Sequence, residues 1–357
     1  MRRTNATTLQ DIAREAGVTA MTVSVVLNGA TSSTRVSEGT RLRINEVAAR
    51  LRYRPNAVAR GLSRRRMDTI GVACQIEGGE LNLYFLEVLN GILEANVAQG
   101  QSTTILSITD WLQDEPKLLA FCDGRVDGVI CVGPLFSSEF AETLQHHTPF
   151  ITLHSNEALP YTRNLTVDDE GGAFAVTQYM IAQGHRRILH LSGNQTFTGA
   201  QRRLDGYRRA LDEGGIAFNH ALVVPGDFSV ASGRERMTAI LGSCRFDPLP
   251  TAIFCANDAI AYGCIEALTS RGLRVPHDIS IAGFDDALTA RMTFPPLTTV
   301  RQPFREMGRR AVELLLPQIA SSNASSPETV FPSPSELLED IFPLKLIIRD
   351  SVGPPKL

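Results

Sequence analysis

The chain has 357 residues, of which 43% are hydrophobic and 20% are charged, and its formal net charge is −3. This composition is typical of a globular protein with more than one domain, and no apolar run approaches the roughly 20 residues that would span a bilayer. The N-terminal MRRTNATTLQDIAREAG has arginines but no apolar segment behind them. We therefore predict no signal peptide and a cytoplasmic protein.

The cysteines argue against a metal centre. They show no C-x-x-C pairing and no ligand spacing with histidine, and most lie inside apolar runs. In a cytoplasmic protein they are predicted to be reduced, partly buried thiols. The six are Cys74, Cys122, Cys131, Cys244, Cys255 and Cys264.

Charge is divided unevenly along the chain. Residues 1–66 contain thirteen arginines, no lysine and four acidic residues, which gives a net charge of +9. Because the whole chain has a net charge of −3, the other 291 residues have a net charge of −12. A small basic module joined to a large acidic one indicates different partners for the two parts. The basic module is a candidate for binding nucleic acid.

The basic module begins with two short predicted helices. LQDIAREA at 9–16 has apolar residues at helical spacing, with Thr8 as the predicted N-cap. Gly17 interrupts the pattern, Thr19 can cap a second helix that extends to about Asn28, and Gly29 can end it. In this second helix Val23, Val26 and Leu27 are predicted to form one apolar stripe.

A third helix and a short fourth segment follow. Ser37 is the predicted cap of EGTRLRINEVAARL, whose inward residues would be Leu42, Ile44, Val47, Ala48 and Leu51. Pro55 can open a helix of barely two turns, which is marginal unless something orders it. Any three-helix bundle would show these periods, but the +9 charge favours a DNA-binding helix-turn-helix.

These segments together resemble a known family. TLQDIAREAGVTAMTVSVVLN and VSEGTRLRINEVAARLRYRPNAVARGL resemble the headpiece and hinge of the LacI/GalR family of bacterial transcriptional regulators, and the likeness extends to about Asp350. The resemblance implies that 19–28 enters the major groove and that Leu62 wedges into the minor groove. It implies a DNA-binding set of Thr8, Thr19, Ala20, Met21, Thr22, Ser24, Val25, Asn28, Arg35, Tyr53, Asn56, Ala59, Arg60 and Leu62.

The predicted reading helix departs from the family at one position. The family commonly has arginine where Val25 stands, and the helix contains no cation. An arginine can bind guanine with two hydrogen bonds, whereas Val25 cannot. We expect phosphate contacts from the surrounding arginines to supply affinity, and Ala20, Met21, Thr22 and Ser24 to read bases.

From Thr69 onward, apolar strand-like runs alternate with amphipathic helices. This alternation predicts parallel sheets with helical crossovers, and about ten such units exceed one comfortable sheet. The predicted fold is therefore an all-α helix-turn-helix headpiece plus an α/β two-lobed domain like that of periplasmic binding proteins.

The predicted boundaries follow from these patterns. The headpiece is 1–54, the hinge helix and linker are 55–67, and the two-lobed domain, which binds the effector and dimerises, is 68–350. Lobe 1 comprises about 68–167 plus 300–325, and lobe 2 about 168–299 plus 336–350. The Ser/Pro-rich SSNASSPETVFPSPSE is predicted to be a mobile loop.

Two such lobes place a small-molecule site at the carboxyl ends of their strands. Polar or aromatic residues follow several apolar runs there, and by resemblance Arg203, Phe228, Asn257 and Asp285 match positions that grip the family's ligands. An arginine, an asparagine and an aspartate suit hydroxyls or a carboxylate. The predicted effector-binding set is Gln75, Tyr84, Phe85, Trp111, His154, Arg203, Phe228, Asn257 and Asp285. For its aromatic members Tyr84, Phe85 and Trp111, packing in the core of the first lobe is an equal alternative.

His154 is a second departure, because many family members have aspartate there. A histidine can donate as well as accept, and can become charged near neutral pH, which would fit an acidic effector such as a sugar acid, or an effector with a different pattern of hydroxyls. The alternative is an ordinary surface histidine at the start of a loop.

The sequence contains no G-x-S-x-G, H-E-x-x-H or P-loop motif, so no catalytic residues, metal or cofactor are expected. We predict a dimeric repressor acting in the bacterial cytoplasm at the nucleoid, with operator DNA and a sugar or sugar acid as partners. A sugar-binding protein or enzyme with a basic extension, and a transcriptional activator, are the alternatives.

Overall fold

The computed structural model describes most of the chain: residues 7–28, 35–56, 60–61, 66–76, 83–156, 159, 162–322 and 338–356. The chain divides into two compact units. The first is residues 1–69 with 124–127, and the second is residues 70–123 with 128–357.

The first unit contains the three predicted helices of the headpiece. They are α1 at Leu9–Ala16, α2 at Ala20–Asn28 and α3 at Glu38–Arg50. Their bounds agree with the sequence prediction to within one residue, and Gly29 lies outside the described residues.

Side-chain caps explain where these helices begin. Thr8 and Asp11 form a reciprocal capping box at the start of α1, and Gly17 ends that helix in the left-handed conformation at φ 66°. Thr19 accepts a hydrogen bond from the Thr22 amide at 3.2 Å, as a cap of α2 should. Ser37 caps α3. The predicted caps are confirmed.

The headpiece core forms where the three helices meet. Ile12, Val23 and Ile44 are fully buried there. The prediction that Leu42 points inward was wrong, because its side chain is 60% exposed. Residue 42 lies about 200° around the helix from Ile44, since each residue turns the chain by about 100°.

The hinge is described only in part. Arg60 and Gly61 have helical backbone, and the Arg60 amide donates to the Asn56 carbonyl at 3.1 Å. Residues 57–59 and 62–65 lie outside the described residues, so the predictions for Ala59 and Leu62 remain predictions.

The second unit contains two lobes, and the chain builds most of the first lobe before it enters the second. The elements of this stretch are β1 at Thr69–Gln75, α4 at Leu83–Ala98, β2 at Ser102–Ile108, α5 at Glu115–Phe121, β3 at Gly128–Val132, α6 at Ser138–His147, β4 at Phe150–Leu153 and β5 at Arg163–Val167.

The second lobe follows directly, also as alternating helices and strands. Its elements are α7 at Asp169–Ala182, β6 at Ile188–Gly193, α8 at Thr198–Glu213, β7 at Val223–Pro225, α9 at Val230–Leu241, β8 at Ala252–Cys255, α10 at Asp258–Ser270 and β9 at Ser280–Ala282. These strands form a parallel sheet in the order β7-β6-β8-β9.

The chain then crosses between the lobes again. The last elements are β10 at Thr299–Arg301, α11 at Phe304–Ser322, β11 at Leu338–Phe342 and β12 at Lys345–Ile347. β10 pairs with β12 beside the second lobe, whereas α11 packs on the core of the first.

One predicted lobe boundary was wrong. The range 336–350 was assigned to the second lobe, but β11 pairs in parallel with β5 and completes a first-lobe sheet of order β11-β5-β4-β3-β1-β2. The stretch LEDIF is short and contains two acidic residues, so it lacks the apolar pattern of a buried strand. An edge strand can tolerate such a sequence because few of its residues need to be buried.

A glycine allows the second-lobe helices α7 and α8 to pack closely. A Cβ at Gly206 of α8 would lie 2.1 Å from the Glu170 carbonyl oxygen of α7, which no side chain could tolerate. The close approach brings Asp169, at the start of α7, next to Arg203 on α8.

Candidate functional site: a cavity between the lobes and a helical headpiece

A cavity of about 190 Å³ lies between the lobes of the second unit. Side chains at or just beyond the carboxyl ends of strands line it, as expected for open parallel sheets. The structure brings together eight of the nine residues that the sequence singled out: Gln75, Tyr84, Phe85, His154, Arg203, Phe228, Asn257 and Asp285.

Trp111 is the exception, and its predicted place in the cleft was wrong. It is only 3% exposed and packs edge-on against Phe136, at 5.8 Å between ring centroids, in an aromatic cluster of the first lobe. It does not line the cavity. The strand end before it indicated a position near the cleft but not the direction of the side chain.

Arg203 is buried and held on three sides. Its Nε donates to Asp169 at 2.8 Å and its Nη1 donates to the Ala256 carbonyl at 2.6 Å. The guanidinium also lies over the ring of Phe284, at 4.1 Å from the centroid. A planar cation fixed in this way presents its remaining N–H groups in a set direction.

Asp285 is a buried carboxyl group that lines the same cavity. Gln302 donates to it at 2.7 Å, and its backbone is in the positive-φ region, at 136°. Burial, together with the nearby Asp258, raises the pKa of Asp285 well above its usual range. Burial also raises the pKa of Asp258 to about 6.

His154 comes from the first lobe and is neutral at physiological pH. Its Nδ1 is 2.9 Å from the Tyr84 hydroxyl, whereas its buried Nε2 has no hydrogen-bond partner in the described part of the chain. Burial lowers the pKa of His154 to about 4, although Asp169 opposes the shift. The expectation that His154 becomes charged near neutral pH was therefore wrong for this structure.

Asn257 and Phe228 form a connected pair at the second-lobe wall. Asn257 caps α10 by accepting from the Ile260 amide at 2.9 Å, and it donates to the Phe228 carbonyl at 3.0 Å. The Phe228 ring faces Phe197, with centroids 6.0 Å apart. Asn257 therefore has a structural role as a cap as well as a place in the cavity lining.

Sequence reasoning missed several lining residues. Among them are Asp169, Phe197, Arg202 and Gln302. Asp169 was missed because an acid at a helix start has an ordinary explanation as a partner of the helix dipole. Arg202 stands directly before Arg203, and only the helix geometry shows that both face the cavity.

The headpiece exposes part of the predicted DNA-reading surface. Met21 is 67% exposed, and Thr8, Thr19, Arg35 and Asn56 are also exposed. The half-buried members of the predicted set are Thr22, Ser24, Val25, Asn28 and Arg60, together with Ala20 and Tyr53, which pack against the headpiece core.

Comparison with known proteins assigns the family. Residues 8–56 match the bacterial regulatory proteins of the lacI family, and residues 177–339 match a periplasmic binding protein-like domain. The chain is 33% identical over 340 residues to the HTH-type transcriptional repressor PurR of Vibrio atlanticus (strain LGP32), covering 93% of this chain and 97% of the relative. The chain belongs to the lacI family.

Solved structures support the same fold for this LacI-family regulator. The lac repressor dimer bound to operator and the anti-inducer ONPF has a TM-score of 0.80 at 27% identity, covering 98% of this chain and all of that one. A transcriptional regulator CelR–cellobiose complex has a TM-score of 0.69 at 28% identity, covering 97% and 99% of the two chains. The protein is a DNA-binding transcriptional regulator of the effector-controlled type.

Within the residues that the structure describes, no helix combines the length and hydropathy that crossing a membrane requires. Within the same residues, no group of three or more histidine, cysteine or acidic side chains is placed to hold a metal ion.

We expect the contribution of the buried histidines to stability to be lost as the pH falls from about 6.5 to about 4, whereas the raised pKa values of Asp258 and Asp285 act in the opposite direction. Burial lowers the pKa values of His154 and His190 to about 4, whereas the unfolded chain binds protons near 6.5. The stabilisation is complete above pH 6.5 and is lost on acidification, by about 3 kcal/mol for the fully buried His190. Urea unfolding at a series of pH values measures it.

A matched pair of variants isolates the contribution of His190. His190→Asn keeps a donor for the Phe254 carbonyl but cannot titrate, so acidification from pH 6.5 to 4.5 should lower its free energy of unfolding less, or raise it more, than that of the wild type. His147→Asn, at an exposed position, should retain the wild-type slope. Equal slopes in all three proteins would show that His190 binds its proton equally well in the folded and unfolded states.

Proposed function

We propose that this regulator is a dimeric repressor that binds operator DNA in the bacterial cytoplasm and whose operator affinity is set by a polyhydroxylated ligand, a sugar or sugar acid, between its lobes. The observation that carries the proposal is the convergence of Arg203 and Asp285 from the second lobe with His154 from the first on one cavity. A ligand that contacts both lobes stabilises one arrangement of them, and so can shift an equilibrium between two states.

The chemistry of the cavity favours a small, hydroxyl-rich ligand. Arg203 supplies fixed donors, and Asp285 offers a carboxyl oxygen that can accept from a hydroxyl. Phe197 and Phe228 supply an apolar wall against which a ring can pack. A volume of about 190 Å³ is below that of pockets for drug-sized molecules, which begin at roughly 300 Å³.

The headpiece supplies the DNA-binding half of the proposal. We place α2 in the major groove, where exposed Met21 would contact thymine methyl groups and half-buried Val25, one helical turn further on, would leave a base pair unread. Arginines of the headpiece and hinge would neutralise phosphates, which makes binding steeply dependent on salt. Pairing of two chains would place two headpieces on two half-sites, with Leu62 of each hinge at the centre.

Ligand binding by the cavity can be tested with Asp285→Asn. Asparagine keeps the size of the side chain and tolerates positive φ, but it replaces a carboxyl oxygen with an amide donor. We expect a thermal-shift screen of sugars and sugar acids to find a ligand whose affinity falls about 10- to 100-fold in this variant. Asp205→Asn, at an exposed position on α8, should bind as the wild type does. Equal affinity in the two variants would place the ligand elsewhere.

A further inference from the structure

Arg202 is a cavity-lining cation without a protein anion beside it. It lies on α8, is half-buried and lines the cavity together with Arg203. Among the residues that the structure describes, no carboxylate lies within 4.0 Å of its guanidinium, and it makes no hydrogen bond to the protein. Its five N–H donors are therefore available to a ligand.

The neighbouring arginine is in the opposite situation. The charge of Arg203 is matched by Asp169, whose side chain is 2% exposed. Arg203 can hydrogen-bond a neutral ligand without adding net charge to the cavity, because its charge is already balanced. Arg202 adds a positive charge that no carboxylate within 4.0 Å balances in the part of the chain that the structure describes.

A second group near Arg202 also lacks a partner. The His154 ring comes from the first lobe and lines the same cavity as Arg202 and Arg203. Its buried Nε2 has no hydrogen-bond partner in the described residues. If the Tyr84 hydroxyl donates to Nδ1, then Nε2 carries the ring proton and is a donor.

We propose that Arg202 and the Nε2–H of His154 form an anion subsite in the cavity, and that the effector is an acidic sugar derivative carrying a carboxylate or a phosphate. This inference rests on the proposed function, because it assigns the charge of the same ligand. An anion at this position pairs with Arg202 from the second lobe and accepts a hydrogen bond from the first. The charged group therefore bridges the lobes, while Arg203 and Asp285 bind the hydroxyls.

Neutral imidazole is well suited to this role. A protonated His154 beside two arginines would be repelled, whereas a neutral ring can donate from one nitrogen and accept at the other. Guanidinium groups bind carboxylate and phosphate with paired, charge-assisted hydrogen bonds that a neutral hydroxyl cannot match. Arg202 should therefore discriminate an acid from the corresponding neutral sugar.

The test compares neutral and acidic forms of the same sugars by isothermal titration calorimetry on the full chain. The probes are glucose and galactose, gluconate, glucuronate and galacturonate, glucose 6-phosphate, and inorganic phosphate alone. We expect at least one acid or phosphate ester to bind at least 10-fold more tightly than its neutral counterpart. Comparing the affinities of the sugar carboxylates with those of glucose 6-phosphate and inorganic phosphate identifies which anion the subsite binds.

Two variants assign the discrimination to Arg202. Arg202→Gln should weaken the tightest acidic probe at least 10-fold and leave the neutral sugar within about twofold. Arg208→Gln removes the same charge from the same helix but lies over the Phe218 ring, outside the cavity lining, so it should bind like the wild type. Both substitutions keep a long, helix-compatible side chain.

Each contrary result has a distinct meaning. Tightest binding of a neutral sugar, or an acid that binds Arg202→Gln as well as the wild type, would overturn the anion subsite and leave the proposed sugar-class effector intact. Binding of no probe at all would overturn both. Equal losses in Arg202→Gln and Arg208→Gln would indicate a general effect of protein charge and would also reject the subsite.

Discussion

Arg203→Met is expected to lower the free energy of unfolding by about 3–5 kcal/mol and to abolish the effector response. The substitution leaves the Asp169 carboxylate, which is 2% exposed, without its partner inside the protein. It also removes the donor to the Ala256 carbonyl and the cation over Phe284. Denaturant unfolding followed by circular dichroism measures the stability, and calorimetry measures ligand binding.

A double variant separates the structural role of Arg203 from its binding role. Adding Asp169→Asn removes the uncompensated charge, so the double variant should recover most of the lost stability. It should still bind no effector, because the donors that face the cavity are gone. Recovery of ligand binding along with stability would mean that Arg203 only supports the fold.

Val25→Arg is expected to change which operators this regulator prefers. Val25 does not belong to the headpiece core and is only half-buried on α2, so an arginine can replace it without loss of packing. One paired contact to guanine discriminates between bases by about 1–3 kcal/mol, or roughly 5- to 150-fold. Selection from randomised duplexes should give a guanine at one position of each half-site that the wild type leaves unspecified.

The control adds the same charge away from the reading helix. Asn45 is exposed on α3, and Asn45→Arg should tighten binding to all duplexes and steepen the salt dependence without changing the preferred bases. If Val25→Arg behaves like this control, residue 25 faces the phosphates or solvent, and the proposed orientation of α2 in the groove is wrong.

Local chemistry explains why much of the fold could be predicted from the sequence. Thr8 and Ser37 cap helices through residues within three positions, and the strands of both lobes are apolar runs bounded by polar residues. The position of Asp285 also followed from its strand, because the carboxyl ends of parallel strands converge on one cleft. Short-range patterns determine these features.

The features that could not be predicted depend on packing between distant segments. Trp111 follows a strand, yet its ring points into the core of the first lobe, where it packs edge-on against Phe136. The edge strand β11 is defined only by its partner β5, about 175 residues earlier in the chain. Arg202 and Arg203 are adjacent arginines in the sequence, and only the position of Asp169 shows that Arg203 is paired, whereas Arg202 has no carboxylate partner among the described residues.

The most direct test of the account is the operator affinity of the full chain with and without a ligand that binds the cavity. Fluorescence anisotropy on a duplex selected from a random library gives both apparent dissociation constants. At a ligand concentration that just saturates the wild type, we expect the operator dissociation constant to change by about 5- to 150-fold in the wild type and far less in Asp285→Asn, whose cavity is then mostly empty. A ligand that binds the wild-type cavity tightly but leaves operator affinity unchanged would contradict it.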